Sequence, residues 1–467
     1  MNFESVIGLE VHAQLKTTSK MFCGCSTVFG AKPNTNICPV CMAQPGALPT
    51  ANRAAVEMAI KTGLALGATI QETSIFARKN YFYPDLTKGY QISQYEFPIC
   101  RGGSLGNISI SRIQLEEDAG KLTHDGGPTN VSHVDFNRCG VPLIEIISGP
   151  DLRSPAEAVD YLQRLRAILM YLDVCDGNMQ EGSFRCDVNV SIRPAGHQEL
   201  GTRTEAKNLN SFRAVERTIA YEIDRQTKIL ESGQPVIQQT RLWNEATGET
   251  LAMRTKEEAH DYRYFPDPDL LPIIVDKNWI EKVRRTLPEL PAAKAKRFIT
   301  DYGLPSYDAD VLTVDRDLAH FYEACVAISK EPKKISNWVM TELLRELKES
   351  GSDINHCKVT PQHLASLVRL IDEGNISGKI AKEVFVDMFQ TGADPESVVA
   401  NKGLTQISDV GELEKAIDQV IANNQKQVEQ YRAGKTAVFA HFVGQVMKVT
   451  KGKANPQLVN ELLKKKL

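Results

Sequence analysis

The chain has 467 residues, 55 basic and 58 acidic side chains and a formal net charge of −3. Near-neutrality excludes a surface that is one continuous nucleic-acid clamp, though not a local basic patch. Apolar residues at 42% and charged residues at 24% exclude a disordered or fibrous chain, and roughly 150 residues per domain gives about three domains.

The N-terminus, Met1-Asn2-Phe3-Glu4, carries neither a basic run nor an apolar one, so no secretory signal is expected. No stretch reaches the roughly 18 uncharged apolar residues of a membrane span. Ten cysteines without an export signal read as thiols or metal ligands, not as a disulfide framework. The expected compartment is the cytoplasm.

Residues 3–15 alternate with period two. Ile7, Leu9, Val11, Ala13 and Leu15 point one way; Glu10, His12 and Gln14 point the other. This predicts a strand with Glu10 and His12 as neighbours on its polar face. Cys23-Gly24-Cys25 follows, then, after twelve intervening residues, Cys38-Pro39-Val40-Cys41. Two close pairs across a loop can converge on one tetrahedral cation, and four thiolates suit Zn²⁺. Four protein ligands leave no open position, so such a centre would be structural. The alternative is four reduced buried thiols.

Arg78-Lys79-Asn80-Tyr81-Phe82-Tyr83-Pro84-Asp85, Lys88-Gly89-Tyr90-Gln91 and Asp261-Tyr262-Arg263-Tyr264-Phe265-Pro266 mix cations with aromatics in turn-rich segments. Such mixtures suit phosphate and base contacts and also occur as plain surface loops. Residues 108–115 predict a strand running into Glu116-Glu117-Asp118. Parity with Ile113 and Leu115 puts Glu116 on its polar face; a bulge would exchange it for Glu117. Within the apolar run Val141–Ile147, Glu145 is the single carboxylate, and a buried carboxylate requires a cation partner. Residues 185–193 repeat the first strand's pattern, with Cys186, Val188, Val190 and Ile192 apolar and Arg185, Asp187, Asn189, Ser191 and Arg193 polar. Lys207-Asn208-Leu209-Asn210-Ser211 adds a cation and amides suited to phosphate or a metal-bound water.

From Pro288-Glu289-Leu290-Pro291 the pattern turns helical. Leu364, Leu367, Val368 and Ile371 share one helix face, as do Ile380, Val384 and Met388. Composition changes again after about Gly403: from Tyr431 to Leu467 eight basic residues face a single acidic one, Glu461. The expected domains are 1–290, including the 23–41 cysteine loop, then 291–402 and 403–467.

The chain lacks a P-loop, a dinucleotide glycine motif, an H-E-x-x-H pair and a G-x-S-x-G elbow. Nucleotide chemistry would therefore rest on the carboxylates. Several of them on polar sheet faces, with a histidine and an asparagine, suit hard divalent cations, and Mg²⁺ on a few carboxylates is how phosphoryl-transfer sites hold ATP. Each strand taken alone is also an ordinary exposed sheet face.

Taken together, Ile7–His12, Arg78–Asp85, Glu116–Lys121, Arg185–Asn189, Lys207–Ser211 and Asp261–Asp269 resemble the B-subunit family of the bacterial-type aspartyl/glutamyl-tRNA(Asn/Gln) amidotransferases, and the likeness runs from Glu4 to the Gly452–Leu463 segment. The chain is too short for the synthetase-like insert of the archaeal paralogue. The resemblance implies an α+β fold: a cradle with an antiparallel sheet like that of glutamine synthetase, then an all-helical domain and a small helical tail. It implies an ATP-dependent ligase that phosphorylates the side-chain carboxylate of Glu-tRNA(Gln) or Asp-tRNA(Asn). Ammonia from a partner amidase (glutaminase) then amidates it, and a small third polypeptide completes a heterotrimer. On this chain Glu10, His12 and Glu116 or Glu117 would hold Mg²⁺, with Glu145, Asp187 and Asn189 as further ligands or as groups that orient them. Lys79, Arg185 and Lys207 would contact the phosphates of ATP, and Lys448, Lys451 and Lys453 those of tRNA. Zn²⁺ on Cys23, Cys25, Cys38 and Cys41 would pin the loop after the first strand. Two rival readings stay open: a non-catalytic, zinc-stabilised RNA-binding protein, and a stand-alone ATP-dependent amide ligase for a small molecule.

Overall fold

The computed structural model describes residues 2–123, 131–255, 262–404, 410–450 and 454–467. Asp261, Lys451 and Lys453 lie outside the described residues. The chain forms two compact units, Met1–Pro291 and Ala292–Leu467.

The first unit is mixed α and β. Its elements in chain order are β1 (Phe3–Gln14), α1 (Arg53–Ala65), β2 (Ala77–Asn80), β3 (Tyr90–Ser93), β4 (Ile108–Glu117), β5 (Pro142–Ser148), α2 (Pro155–Tyr171), β6 (Phe184–Pro194), β7 (Thr204–Lys207), α3 (Phe212–Glu231), β8 (Gln239–Asn244) and β9 (Glu249–Thr255). A ten-stranded sheet runs β9-β8-β7-β6-β1-β5-β4 and is extended beyond β4 by the short strands Cys100–Arg101, Ser104–Leu105 and Thr69–Ile70. β2 and β3 form a separate small sheet with Phe265–Pro266.

The pairing departs from an all-antiparallel sheet at one joint, where β7 and β8 run parallel. The 20-residue helix α3 lies between them. A crossover of that length returns the chain to the same end of the sheet, whereas a hairpin would reverse it.

β1 is the central strand, and its alternation explains the layers. Ile7, Leu9, Val11 and Ala13 are all buried in one apolar cluster with Val56, Ala59 and Ile60 of α1, Leu162, Leu165 and Leu169 of α2, and Val215 and Ile219 of α3. Fully burying one such side chain contributes about 1.5–3 kcal/mol. This repeated apolar parity holds the helices to one face and leaves the polar parity on the other. Each helix starts at a side-chain cap: Asn52 for α1, Ser154 followed by Pro155 for α2, and Ser211 for α3.

The second unit is helical. Pro361–Asp372 buries Leu364, Leu367 and Val368, and Gly378–Thr391 buries Ile380, Val384 and Met388. A separate apolar cluster joins Leu413, Ile417, Phe442, Val446 and Leu463. Lys448 sits exposed in the last turn of the helix Phe439–Val449. Among the described residues, no helix is long and apolar enough to cross a membrane.

Candidate active site

Register places the polar parity of five strands on one face. On β1 and β5, His12 lies opposite Glu145; on β5 and β4, Glu145 lies opposite Gln114 and Leu143 opposite Glu116. On the other side of β1, Glu10 lies opposite Asp187, His12 opposite Arg185 and Gly8 opposite Asn189. Asn189 in turn faces Glu205 of β7. The face is thus lined by side chains that are far apart in the chain and brought together only by strand pairing.

Two groups of donors emerge. His12, Glu116 and Glu145 each place a ligand atom within 4.8 Å of the others, and so do Glu10, Asp187 and Glu205. In the first group, His12 Nε2 is 3.6 Å from Glu145 Oε1. The Gln114 amide donates to Glu116 at 2.9 Å and also to Glu145. Glu116 accepts further bonds from Ser93 Oγ at 2.5 Å and Gln91 Nε2 at 3.1 Å. Burial raises the Glu145 carboxyl well above the usual carboxylate range, and Glu116 and Glu10 push it the same way. Burial also opposes ionisation of Glu116, but Lys79, His12 and the bonds from Ser93 and Gln114 outweigh it and hold that carboxyl below its ordinary value. Burial lowers the His12 imidazole despite Glu116 and Asp187. Among the described residues, no lysine or arginine nitrogen lies within 4.0 Å of either Glu116 or Glu145, so neither carboxylate has a direct ion pair with such a side chain.

The second group holds a cation of its own. Lys207 pairs with Asp187 and lies 3.3 Å from Glu205. Asn189 Nδ2 donates to Glu10 at 2.8 Å, and Thr240 Oγ1 to Glu205 at 2.9 Å. The Lys207 ammonium thus occupies the place a second cation would take.

The phosphate-contact candidates separate by geometry. Lys79 stands over the Tyr262 ring at 4.9 Å with no carboxylate within ion-pair distance among the described residues. Burial works against its ammonium, but Tyr264, Glu116 and Glu145 outweigh it and raise its pKa above the ordinary lysine value. Arg185 is locked in a two-pronged pair with Asp118, both bonds 3.0 Å, and Gln14 adds a third bond to that carboxylate at 2.8 Å. Asn208 and Ser211 serve the backbone: Asn208 bonds the Trp243 carbonyl at 3.1 Å, and Ser211 caps α3.

Glu117 is turned away from this face. It pairs with Lys88 at 2.6 Å and accepts the Ile92 backbone N–H at 3.0 Å. The only shift of register on β4 and β5 lies at Ile147/Ser148, so no bulge reaches Glu116.

Known proteins are similar to this chain in sequence. A family model described as the GatB/GatE catalytic domain matches residues 5–281, and one described as the GatB domain matches residues 320–467. Proteins named as the B-subunit of aspartyl/glutamyl-tRNA(Asn/Gln) amidotransferase are similar along the full length. That of Thermodesulfovibrio yellowstonii is 57% identical, covering 99% of each chain. That of Solidesulfovibrio magneticus is 58% identical over 100% of this chain and 99% of its own, and that of Geotalea uraniireducens 56% over 100% of both. The chain belongs to the B-subunit family of the aspartyl/glutamyl-tRNA(Asn/Gln) amidotransferases. It is therefore part of a ligase-type enzyme.

Within this amidotransferase polypeptide, four thiols form a third donor group. The sulfurs of Cys23, Cys25, Cys38 and Cys41 lie within 4.8 Å of one another. Cys38 and Cys41 Sγ are 3.9 Å apart, close to the roughly 3.8 Å that tetrahedral bonds of about 2.3 Å to zinc would impose. The donor set fits Zn²⁺. The Cys41 thiol is drawn down to about 4, chiefly by the hydrogen bond with Cys23.

Four contributors to the face were not singled out from the sequence. Gln114 shares the parity of Glu116 and was legible by that rule. Ser93 and Gln91 sit on the four-residue strand β3, and Glu205 on the four-residue strand β7, too short for alternation to show.

Proposed function

We propose that the chain is the kinase and transamidase component of a tRNA-dependent amidotransferase. The observation that carries this reading is the convergence of Glu116, Glu145 and His12, two carboxylates and an imidazole with no fixed cation between them, on a face that also holds Glu10, with Lys79 of the small sheet near enough to feel both carboxylates. Mg²⁺ bound to His12, Glu116 and Glu145, with Glu10 alongside, would neutralise the triphosphate of ATP. Gln114, Gln91, Ser93 and Asn189 orient those ligands, and Lys79 meets the transferred phosphoryl group. Lys207 is the cation of the Glu10–Asp187–Glu205 group and reaches phosphate only by leaving it. Arg185 fixes Asp118 and, through it, the end of β4.

The reaction runs in two steps. A side-chain carboxylate oxygen of Glu-tRNA(Gln) or Asp-tRNA(Asn) attacks the γ-phosphorus, and the bond to ADP breaks. Ammonia then attacks the acyl carbon, inorganic phosphate leaves with the bonding pair, and nitrogen gives up a proton to solvent. The protein's share is positioning and charge neutralisation. Ammonia comes from a partner amidase, and a small third polypeptide completes a heterotrimer in the cytoplasm.

We assign residues 1–290 to this catalytic cradle, 291–402 to a helical domain and 403–467 to a tRNA-binding tail. The separate apolar clusters of the second unit and exposed Lys448 support the division. Zinc on the four cysteines is structural.

The test is a trap for the acyl phosphate. With partners, ATP, Mg²⁺ and charged tRNA but neither glutamine nor ammonia, hydroxylamine should yield the side-chain hydroxamate on the tRNA. Its absence while the complete system still forms amide would refute the phosphorylation step.

A further inference from the structure

Lys20 is a lysine at 1% exposure. Its Nζ donates to the carbonyls of Asn36 at 2.7 Å and Phe136 at 3.2 Å and to Cys41 Sγ at 3.7 Å, which uses all three of its hydrogens. No carboxylate lies within 4.0 Å of it among the described residues. The nearby Glu117 is held by Lys88 at 2.6 Å and by the Ile92 N–H. A buried ammonium without a counter-charge is costly, and the two carbonyls supply none. The remaining partner is the cysteine group.

We infer that Lys20 is the charge-balancing residue of the Cys23–Cys25–Cys38–Cys41 metal centre, favouring the metal-loaded cluster over the empty one; this rests on the zinc reading above. Four thiolates around a divalent cation keep two negative charges in a half-buried loop. Lys20 offsets one of them through Cys41. With four neutral thiols it would offset nothing and stand buried without an anion. The sign follows: Lys20 tightens metal binding, and the metal in turn settles Lys20. The main chain builds the contact in, since Lys20 N donates to the Cys25 carbonyl at 2.9 Å and Met21 N to that of Gly140 at 2.7 Å. Lys20 is thus a positioning and charge-balancing residue, not a ligand.

The experiment uses the full-length chain and its Lys20→Gln and Lys20→Arg variants, each checked for folding by thermal unfolding. Zinc release to a coloured chelator is timed, and the thiolate-to-metal charge-transfer band is recorded after exchange with Co²⁺. The parent should hold one metal per chain. Lys20→Gln should release zinc about 10–100-fold faster, the usual effect of removing a group that supports a ligand. Its cobalt band should move to longer wavelength, because a thiolate without its cation is the better electron donor. Lys20→Arg should restore the parent's band and most of its retention. A folded Lys20→Gln with the parent's release rate and band overturns the inference while the zinc reading stands. A parent without metal overturns both. If Lys20→Gln does not fold, Lys20→Arg decides: a parent-like band and retention support the inference, and a folded arginine chain that releases zinc as fast as Cys23→Ser overturns it.

Discussion

Glu145 carries the tension of the site. It is buried on an apolar strand between Glu116 and Glu10, its carboxyl is pushed up, and its neighbours are an amide and a neutralised imidazole. Under the proposed function, a residue so placed serves binding at the expense of the fold. Glu145→Gln removes a carboxyl whose ionisation the fold opposes, so its melting temperature should rise, by about 1–3 °C, while transamidation falls about 10–100-fold. Calorimetry and a tRNA amidation assay read the two effects separately; a fall in both would make Glu145 an ordinary structural residue. At this scale the sequence was readable where a rule applied. Strand parity favoured Glu116 but left Glu117 open to a bulge, and the register, which has none there, puts Glu116 on the face. It did not reveal that Lys207 and Arg185 are engaged by acidic side chains, because ion pairs between strands depend on register.

At the scale of elements, α3 shows how the sheet's far half is fastened. Glu222 is fully buried and accepts from Thr204 at 2.8 Å on β7, Thr250 at 2.5 Å on β9, and Arg225 at 2.7 Å on its own helix; Arg241 of β8 lies 3.2 Å away. One carboxylate thereby ties the helix to three strands. Burial opposes its charge, but Arg225, Thr250 and Gln226 outweigh it and hold the carboxyl below 4.5. A carboxyl depressed in the folded state contributes stability that is complete above its unfolded value and is lost as pH falls through the folded one. Glu222→Gln should therefore cost about 3 kcal/mol near pH 7, and the gap from the parent should shrink below about pH 4.5. Urea unfolding at both pH values measures it, and a gap that widens in acid would refute the assignment. β1 and β6 were legible by alternation, β5 as a short apolar run, and the helices of residues 361–391 by their apolar spacing. The small sheet of β2, β3 and Phe265–Pro266 was not, since it joins segments far apart in sequence.

At the scale of the whole molecule, the proposed function assigns catalysis to the sheet face of the first unit and tRNA binding to the basic tail at the end of the second. Lys448 is exposed and without an ion-pair partner among the described residues, whereas Lys466 is held by Asp418 at 2.7 Å. Lys448→Glu should raise the KM for tRNA several-fold, leave kcat nearly unchanged, and lower the salt dependence of KM by about one counterion. A changed kcat at saturating tRNA would place Lys448 outside a binding role. Composition exposed the tail, because a neutral total hid eight basic residues against one acidic residue.

The convergent carboxylates are tested most sharply by ATP turnover of the assembled enzyme at varied Mg²⁺, with and without charged tRNA, in the parent and in Glu116→Gln. Turnover should need both Mg²⁺ and Glu-tRNA or Asp-tRNA, and should fall about 10–100-fold in Glu116→Gln at unchanged melting temperature. Equal turnover without tRNA, or a parent-like rate in Glu116→Gln, would show that these side chains do not form a tRNA-dependent kinase site.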